Sequence, residues 1–151
     1  MQTVRVKFIH PNATLPAKMT EGSAGYDLYA VEDISISPSR SKPDGTVEVG
    51  RALVPTGIVL ELPPGTVGRV GARSGMSVKS NIETGAGWID SDYRGELKVE
   101  LKNLSSAPYK INCGDRIAQL VVLPLADADI ELAKGVNDTT RNSSGFGSTG
   151  L

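Results

Sequence analysis

Apolar and polar positions alternate along most of this chain with a period close to two. Thr3 to Ile9 alternates, Val47 and Val49 begin a second stretch, and Ala52 to Leu62 gives β-branched runs broken by Pro55 and Gly57. Thr66 to Val70, Glu96 to Leu101 and Arg116 to Leu123 continue the series at short intervals. Such runs predict strands. Turn chemistry separates them at Lys42-Pro43-Asp44-Gly45, Pro63-Pro64-Gly65, Asp92-Tyr93-Arg94-Gly95 and Asn112-Cys113-Gly114-Asp115. No long window sustains a 3.6-residue period. Gly75 to Lys79 predicts one or two helical turns, with Ser74 as a candidate cap. Arg40 to Gly50 reads as an extra hairpin excursion. Many short strands with regular turn signals predict an all-β sandwich, jelly roll or barrel. The pattern gives way near Lys134, which divides the chain into a β core over 1–134 and a C-terminal tail over 135–151.

That tail, Arg141-Asn-Ser-Ser-Gly-Phe-Gly-Ser-Thr-Gly-Leu151, holds glycines, hydroxyl residues, one arginine and one aromatic. A core has no packing use for it, so ordering it requires a partner that supplies free energy. Backbone amides, hydroxyls and a guanidinium suit phosphate oxygens, and Phe146 offers a flat face to a base. A frayed end is the plain alternative.

Composition narrows the chemistry. The chain has 151 residues, enough for one domain with a real core. The single cysteine, Cys113, excludes an intrachain disulfide framework, and the single histidine, His10, excludes a histidine metal cluster within one subunit. A water-activating base is then expected to be a carboxylate, and a divalent ion to be hard and oxygen-liganded, such as Mg²⁺. Net charge is −1, which argues against a broad nucleic-acid surface. No charged-then-apolar leader opens the chain, and the apolar stretch Leu120 to Leu125 is too short to span a membrane. The expectation is a cytoplasmic protein with no nucleic-acid or membrane partner, the nucleus being admitted for a eukaryotic or viral source.

Four interior segments are too polar and glycine-rich for plain strand or turn duty. Ser23 to Ala30 places Asp27 between apolar neighbours, where an unpaired carboxylate is costly; it is either a partnered residue or an edge-strand solubility residue. In Gly68 to Met76, Arg73, Ser74 and adjacent glycine amides are able to converge on one anion. Gly85 to Gly95 reads as a hairpin whose glycines let backbone approach a ligand, with Asp90 near Trp88 and Ile89 as a candidate general base. Asp92 reads as a turn-capping residue, and Arg94 as a carboxylate partner or an element of a subunit contact. In Gly114 to Leu120, Gln119 is an amide before an apolar run, suited to sheet hydrogen bonding or to ligand contact.

Together these segments and the tail resemble, in order and over nearly the whole chain, the five motifs of the homotrimeric all-β dUTP diphosphatases (dUTPases). They are carried by Ala24 to Ala30, Gly68 to Lys79, Gly85 to Glu96, Gly114 to Leu120 and Arg141 to Gly150. The resemblance implies a distorted jelly roll, or β-clip, with one short helix and a flexible C-terminal tail acting as a lid. It implies hydrolysis of dUTP to dUMP and pyrophosphate by attack of water on the α-phosphorus, with Mg²⁺ across the triphosphate. By similarity Asp90 would deprotonate the water, Asp27 would help position hydrated Mg²⁺ through water, and Gln119 would hold phosphate oxygens or their water. Arg73 and Ser74 would contact the phosphates, with Gly75 allowing close approach. The backbone from Thr84 through Gly87 to Ile89 would read the uracil edge, and Tyr93 would stack under deoxyribose. Arg141, Gly147, Ser148 and Thr149 would close on the γ-phosphate while Phe146 covers the base. Sites shared among three subunits follow from the same resemblance.

A snug pocket rejects thymine by its methyl, and a fixed backbone rejects cytosine by leaving buried groups unpaired. The chain departs from the family pattern at Asn142 and Ser144, where glycine is usual; Asn tolerates left-handed geometry, Ser poorly. Trp88 also departs, and either lines the pocket wall or packs at the subunit contact. A rival reading is a dCTP deaminase or its bifunctional relative, which would need a glutamate near the third segment, where Glu83 and Glu96 lie. A non-catalytic nucleotide-sensing module is the other alternative, and its mark, loss of the base or the tail, is absent.

Overall fold

A computed structural model describes residues 2–143. Its strands are β1 (Arg5–Phe8), β2 (Tyr26–Tyr29), β3 (Ile34–Ile36), β4 (Arg40–Ser41), β5 (Val47–Glu48), β6 (Gly50–Glu61), β7 (Thr66–Gly71), β8 (Ile82–Thr84), β9 (Trp88–Ile89), β10 (Glu96–Asn103), β11 (Tyr109–Ile111) and β12 (Arg116–Pro124). A short helix, α1 (Ser74–Ser80), lies between β7 and β8. Two four-stranded sheets, ordered β1-β6-β10-β8 and β2-β12-β7-β9, are accompanied by the pairs β11-β3 and β4-β5. This is the all-β architecture with one short helix that the sequence predicts.

Alternation decides which face each strand buries. On β10, Leu97, Val99 and Leu101 are buried while Lys98 is exposed. They join Leu28 of β2, Ile36 of β3, Val54 and Ile58 of β6, Ile111 of β11 and Leu120 of β12 in one core. Each such side chain contributes about 1.5–3 kcal/mol on leaving water. One polar residue lies fully inside. Asn103 donates from Nδ2 to the carbonyls of Ile36 (3.2 Å) and Ala107 (2.8 Å), and its Oδ1 accepts the Ser105 N–H (3.0 Å) and hydroxyl (2.7 Å). The amide ties β10 to β3 and to the loop before β11.

Three local expectations are corrected. Pro55 and Gly57 do not end the strand, because β6 runs through both. Its register with β10 shifts between Glu96 and Lys98, and Gly57 takes φ +67°, a value that suits glycine. Ser74 is not the helix cap. It is the first helical residue, Arg73 precedes it in extended geometry without a side-chain cap bond, and Asn81 closes the helix in the left-handed region at φ 53°. The segment from Gly85 to Gly95 is not a simple hairpin either. β8 pairs with β10 in one sheet and β9 pairs with β7 in the other, so this stretch crosses between sheets.

The excursion before β6 is present as the β4-β5 hairpin. Asp44 Oδ1 accepts the Thr46 hydroxyl and N–H, and these bonds, the hydroxyl first, lower its pKa from the usual carboxylate value. Among the described residues, regular structure ends with β12. Along the arm that follows, Ile130, Leu132 and Val136 are fully exposed in the single chain.

Candidate active site

Asp27 lies on β2, directly opposite Gln119 of β12. Its carboxylate is buried, and it has the partners its position demands. Arg73 Nε is 3.5 Å from Oδ1 and Arg116 Nη1 is 3.3 Å from Oδ2. Arg73 also donates to the Arg116 carbonyl at 3.1 Å, so the two guanidinium groups and the carboxylate form one unit. The edge-strand alternative for Asp27 is therefore set aside. Gln119 donates from Nε2 to the Ala72 carbonyl at 3.0 Å, which fastens β12 to the turn leading into α1. Gly25 is what allows this approach, since a Cβ there would stand 2.7 Å from Gln119 Oε1.

Arg116 is the residue that sequence reasoning missed. Strict alternation would put it on the face opposite Gln119, three positions away. The register of β12 against β2 shifts between Arg116 and Ala118, so Arg116 pairs with Tyr29 while Gln119 pairs with Asp27. Tyr29 and Asp27 share a face, and the bulge brings Arg116 to it. A period-two count carries no trace of this.

Asp27, Arg73, Ser74 and Gln119, with Ser23 and Gly25, line a concavity of about 210 Å³. Gly75 follows in α1 with open space where a Cβ would stand. Asp90 is elsewhere. It lines a second concavity of about 500 Å³ with Leu53, Gly87, Trp88, Ile89 and Tyr93, and the two linings share no residue.

The second concavity is shaped by a turn in which the Tyr93 N–H donates to the Asp90 carbonyl at 3.1 Å. Tyr93 folds back so that its hydroxyl donates to the Glu96 carbonyl at 3.1 Å; a Cβ at Gly95 would overlap its ring. Arg94 donates to the Ser91 and Tyr93 carbonyls at 2.7 and 3.0 Å, bracing the turn, and Asp92 is exposed. Trp88 lines the wall, 65% exposed, with the Arg69 guanidinium 4.9 Å from its ring centroid. Thr84 ends β8, paired with Leu101. Gly87 is held close to β7: a Cβ there would come within 2.6 Å of the Val70 carbonyl oxygen and of Arg69 Nη1. That glycine is explained by a contact inside the chain.

Arg141 lies on the arm beyond β12. Asn142 adopts φ 42°, the left-handed geometry it tolerates, and exchanges hydrogen bonds with Thr139. Phe146, Gly147, Ser148 and Thr149 lie outside the described residues, as does Ser144.

Comparison with known proteins decides the family. The dUTPase family model matches residues 11–150. The chain belongs to the dUTPase family. A deoxyuridine 5'-triphosphate nucleotidohydrolase of Paramecium bursaria Chlorella virus 1 is 42% identical over the full length of both chains. One from Debaryomyces hansenii is 46% identical, over 99% of this chain and 88% of that protein. Among solved structures, the dUTPase of Staphylococcus bacteriophage 80alpha with dUPNHPP has a TM-score of 0.87 at 26% identity, with 100% of each chain covered. A mutant dUTPase of phage phi11 of S. aureus, which reveals the coordination of a structural Mg(II) ion, has a TM-score of 0.77 at 25% identity over 90% of this chain and 99% of that one. Of the glutamates that the deaminase reading would draw on, Glu83 accepts the Ser77 hydroxyl and Glu96 accepts the Gly57 N–H at 3.0 Å.

Proposed function

We propose that this enzyme hydrolyses dUTP to dUMP and pyrophosphate, with Asp90 taking a proton from the water that attacks the α-phosphorus, in a homotrimer whose sites are shared between subunits. The observation that carries the reading is the separation of Asp90 from the Asp27–Arg73–Gln119 group in two concavities of one chain. A site that needs both is completed by apposing the first concavity of one copy to the second concavity of another.

In that arrangement Asp90 sits against the apolar walls of Trp88, Ile89 and Leu53, and a carboxylate beside bound water serves as general base. Arg73 and Ser74 meet phosphate oxygens at the start of α1, with Gly75 leaving room. The backbone from Thr84 through Gly87 to Ile89 meets the uracil edge. Tyr93, held by Glu96 and Gly95, stacks against deoxyribose and leaves no space for a 2′-hydroxyl. Arg141, Phe146, Gly147, Ser148 and Thr149 close the site as a lid, which excludes bulk water and completes the donor set.

The donor set fits Mg²⁺ held mainly by substrate. Among the described residues no group of three or more His, Cys, Asp or Glu side chains is placed to hold a metal ion, and both Asp27 oxygens already face guanidinium groups. Asp27 would therefore act on the ion through water, as hard, strongly hydrated Mg²⁺ favours. When bound, the ion would offset the charge of the triphosphate.

Two inactive chains test the shared site. Asp90→Asn and Asp27→Asn are unfolded together, refolded at equal amounts and assayed for pyrophosphate release from dUTP. Random assembly restores about a quarter of wild-type activity if each site draws these residues from different subunits. No recovery, with mixed trimers demonstrated by native mass spectrometry, would count against sharing. Release of ammonia from dCTP would overturn the reaction itself.

A further inference from the structure

Glu100 is on the outward face of β10, yet its side chain is only 18% exposed, because the loop between β8 and β9 folds down upon it. Its Oε2 accepts the Ala86 N–H at 2.7 Å. Its Oε1 lies 3.3 Å from Arg51 Nη1 on the neighbouring strand β6. The Glu100 carbonyl accepts the Gly85 N–H at 2.9 Å. Two successive loop amides thus donate to one residue, the first to its main chain and the second to its carboxylate. A Cβ at position 85 would fall on that carboxylate, so a side chain there would have to displace it. At the far end of the loop, the Gly87 carbonyl accepts the Val70 N–H at 2.8 Å. Three residues, two of them glycine, are fastened to one sheet through Glu100 and to the other through Val70.

We propose that Glu100, oriented by Arg51, is a positioning residue that sets the backbone of the base-reading segment and with it the preference for uracil. The inference rests on the reading that residues 84–89 meet the base edge. Discrimination by unpaired groups works only where donors and acceptors cannot turn to suit the wrong base. A loop with glycine at 85 and 87 has wide conformational freedom by itself, so its fixity comes from what it is bonded to. A carboxylate receiving a backbone N–H is a charge-assisted acceptor, stronger than a neutral one. Arg51 keeps that carboxylate turned toward Ala86. With the Arg51 end open to solvent the ion pair would add little stability, so its effect lies in orientation.

The test uses full-length Glu100→Ala, Glu100→Gln, Arg51→Ala and Gly85→Ala, assayed in steady state with dUTP, dCTP and dTTP. Trp88 is the sole tryptophan of the chain and lies two residues beyond Ala86, so acrylamide quenching of its fluorescence reports loop order. Glu100→Ala is expected to raise KM for dUTP about tenfold with kcat held within about threefold, and to lower the dUTP-over-dCTP ratio of kcat/KM by a similar factor. Quenching should rise. Glu100→Gln, which keeps an acceptor but loses the charge, and Arg51→Ala should fall between it and wild type. Gly85→Ala displaces the carboxylate from the other side, should match Glu100→Ala, and carries the test should that variant not fold. Unchanged KM, base ratios and quenching in folded Glu100→Ala would overturn the proposal, as would a lowered Tm as the sole change. Raised quenching with unchanged base ratios would uphold the positioning role and instead remove base reading from this segment.

Discussion

Asp27 and Gln119 face each other across the β2–β12 ladder, and each is held from a third direction. Arginines hold the carboxylate, and the Ala72 carbonyl holds the amide. Both side chains are thereby held in place before any ligand arrives, which is the benefit of a preorganised polar group. Arg116 shares in this, so Arg116→Met should lower kcat roughly tenfold by leaving Asp27 with one cation. It should also shift the Mg²⁺ concentration for half-maximal rate. Arg116→Lys should recover part of the loss, because a point charge replaces a planar one. Wild-type kcat and an unshifted Mg²⁺ titration in the Met variant would remove Arg116 from the site.

Asp90→Asn should bind a non-hydrolysable dUTP analogue almost normally and lose about 10²–10⁴-fold in kcat, since the amide keeps the shape but accepts no proton. Calorimetric titration and single-turnover assays separate the two effects. Retention of more than half the rate would exclude Asp90 as the base.

Asn103→Leu should destabilise the fold by about 2–4 kcal/mol, because the carbonyls of Ile36 and Ala107 and the groups of Ser105 lose a buried partner. Urea unfolding reads this as a lower midpoint at unchanged m-value, with protein concentration held fixed. Surviving protein should keep its KM, as the amide is remote from both concavities' linings. An unchanged midpoint would mean that water replaces the amide without cost.

Deletion after Asn137 removes Arg141, Phe146, Gly147, Ser148 and Thr149. The last strand among the described residues ends at Pro124, so the core should keep its Tm without ligand while kcat falls by orders of magnitude. Near-normal turnover would dismiss the lid, and a collapse in Tm would make the arm structural.

β10 was legible because it buries one face, which leaves a period of two in the sequence, while β7 and β12, buried on both faces over part of their length, were legible as short apolar runs between turns. β3, β8 and β11 have three residues each, too few to show any period. The course of β6 through Pro55 and Gly57 was hidden because Pro55 pairs with Lys98 inside the ladder and the irregularity that follows it takes in Gly57. The candidate site residues were legible only as a set of motifs, and Asp27's need for a partner followed from its apolar neighbours. Which partner it has did not, since Arg116 reaches it only through a change of register. The same holds for the glycines at 85 and 87. They announce a close approach but not to what, and the neighbours proved to be Glu100 and β7, parts of the chain distant in sequence.

The bulge in β12 makes the spacing of Arg116 and Gln119 a matter of counting. Substitutions between them leave the count untouched and alter only what is packed. Removal of the one extra residue would leave Arg116 and Gln119 two positions apart, where plain alternation already puts both on the face of Asp27 and the bulge is no longer needed. Addition of one would leave two unpaired residues where the ladder accommodates one. This short stretch can therefore vary in composition or lose its extra residue during descent without parting Arg116 from Asp27, whereas a gained residue would call for a matching change in β2.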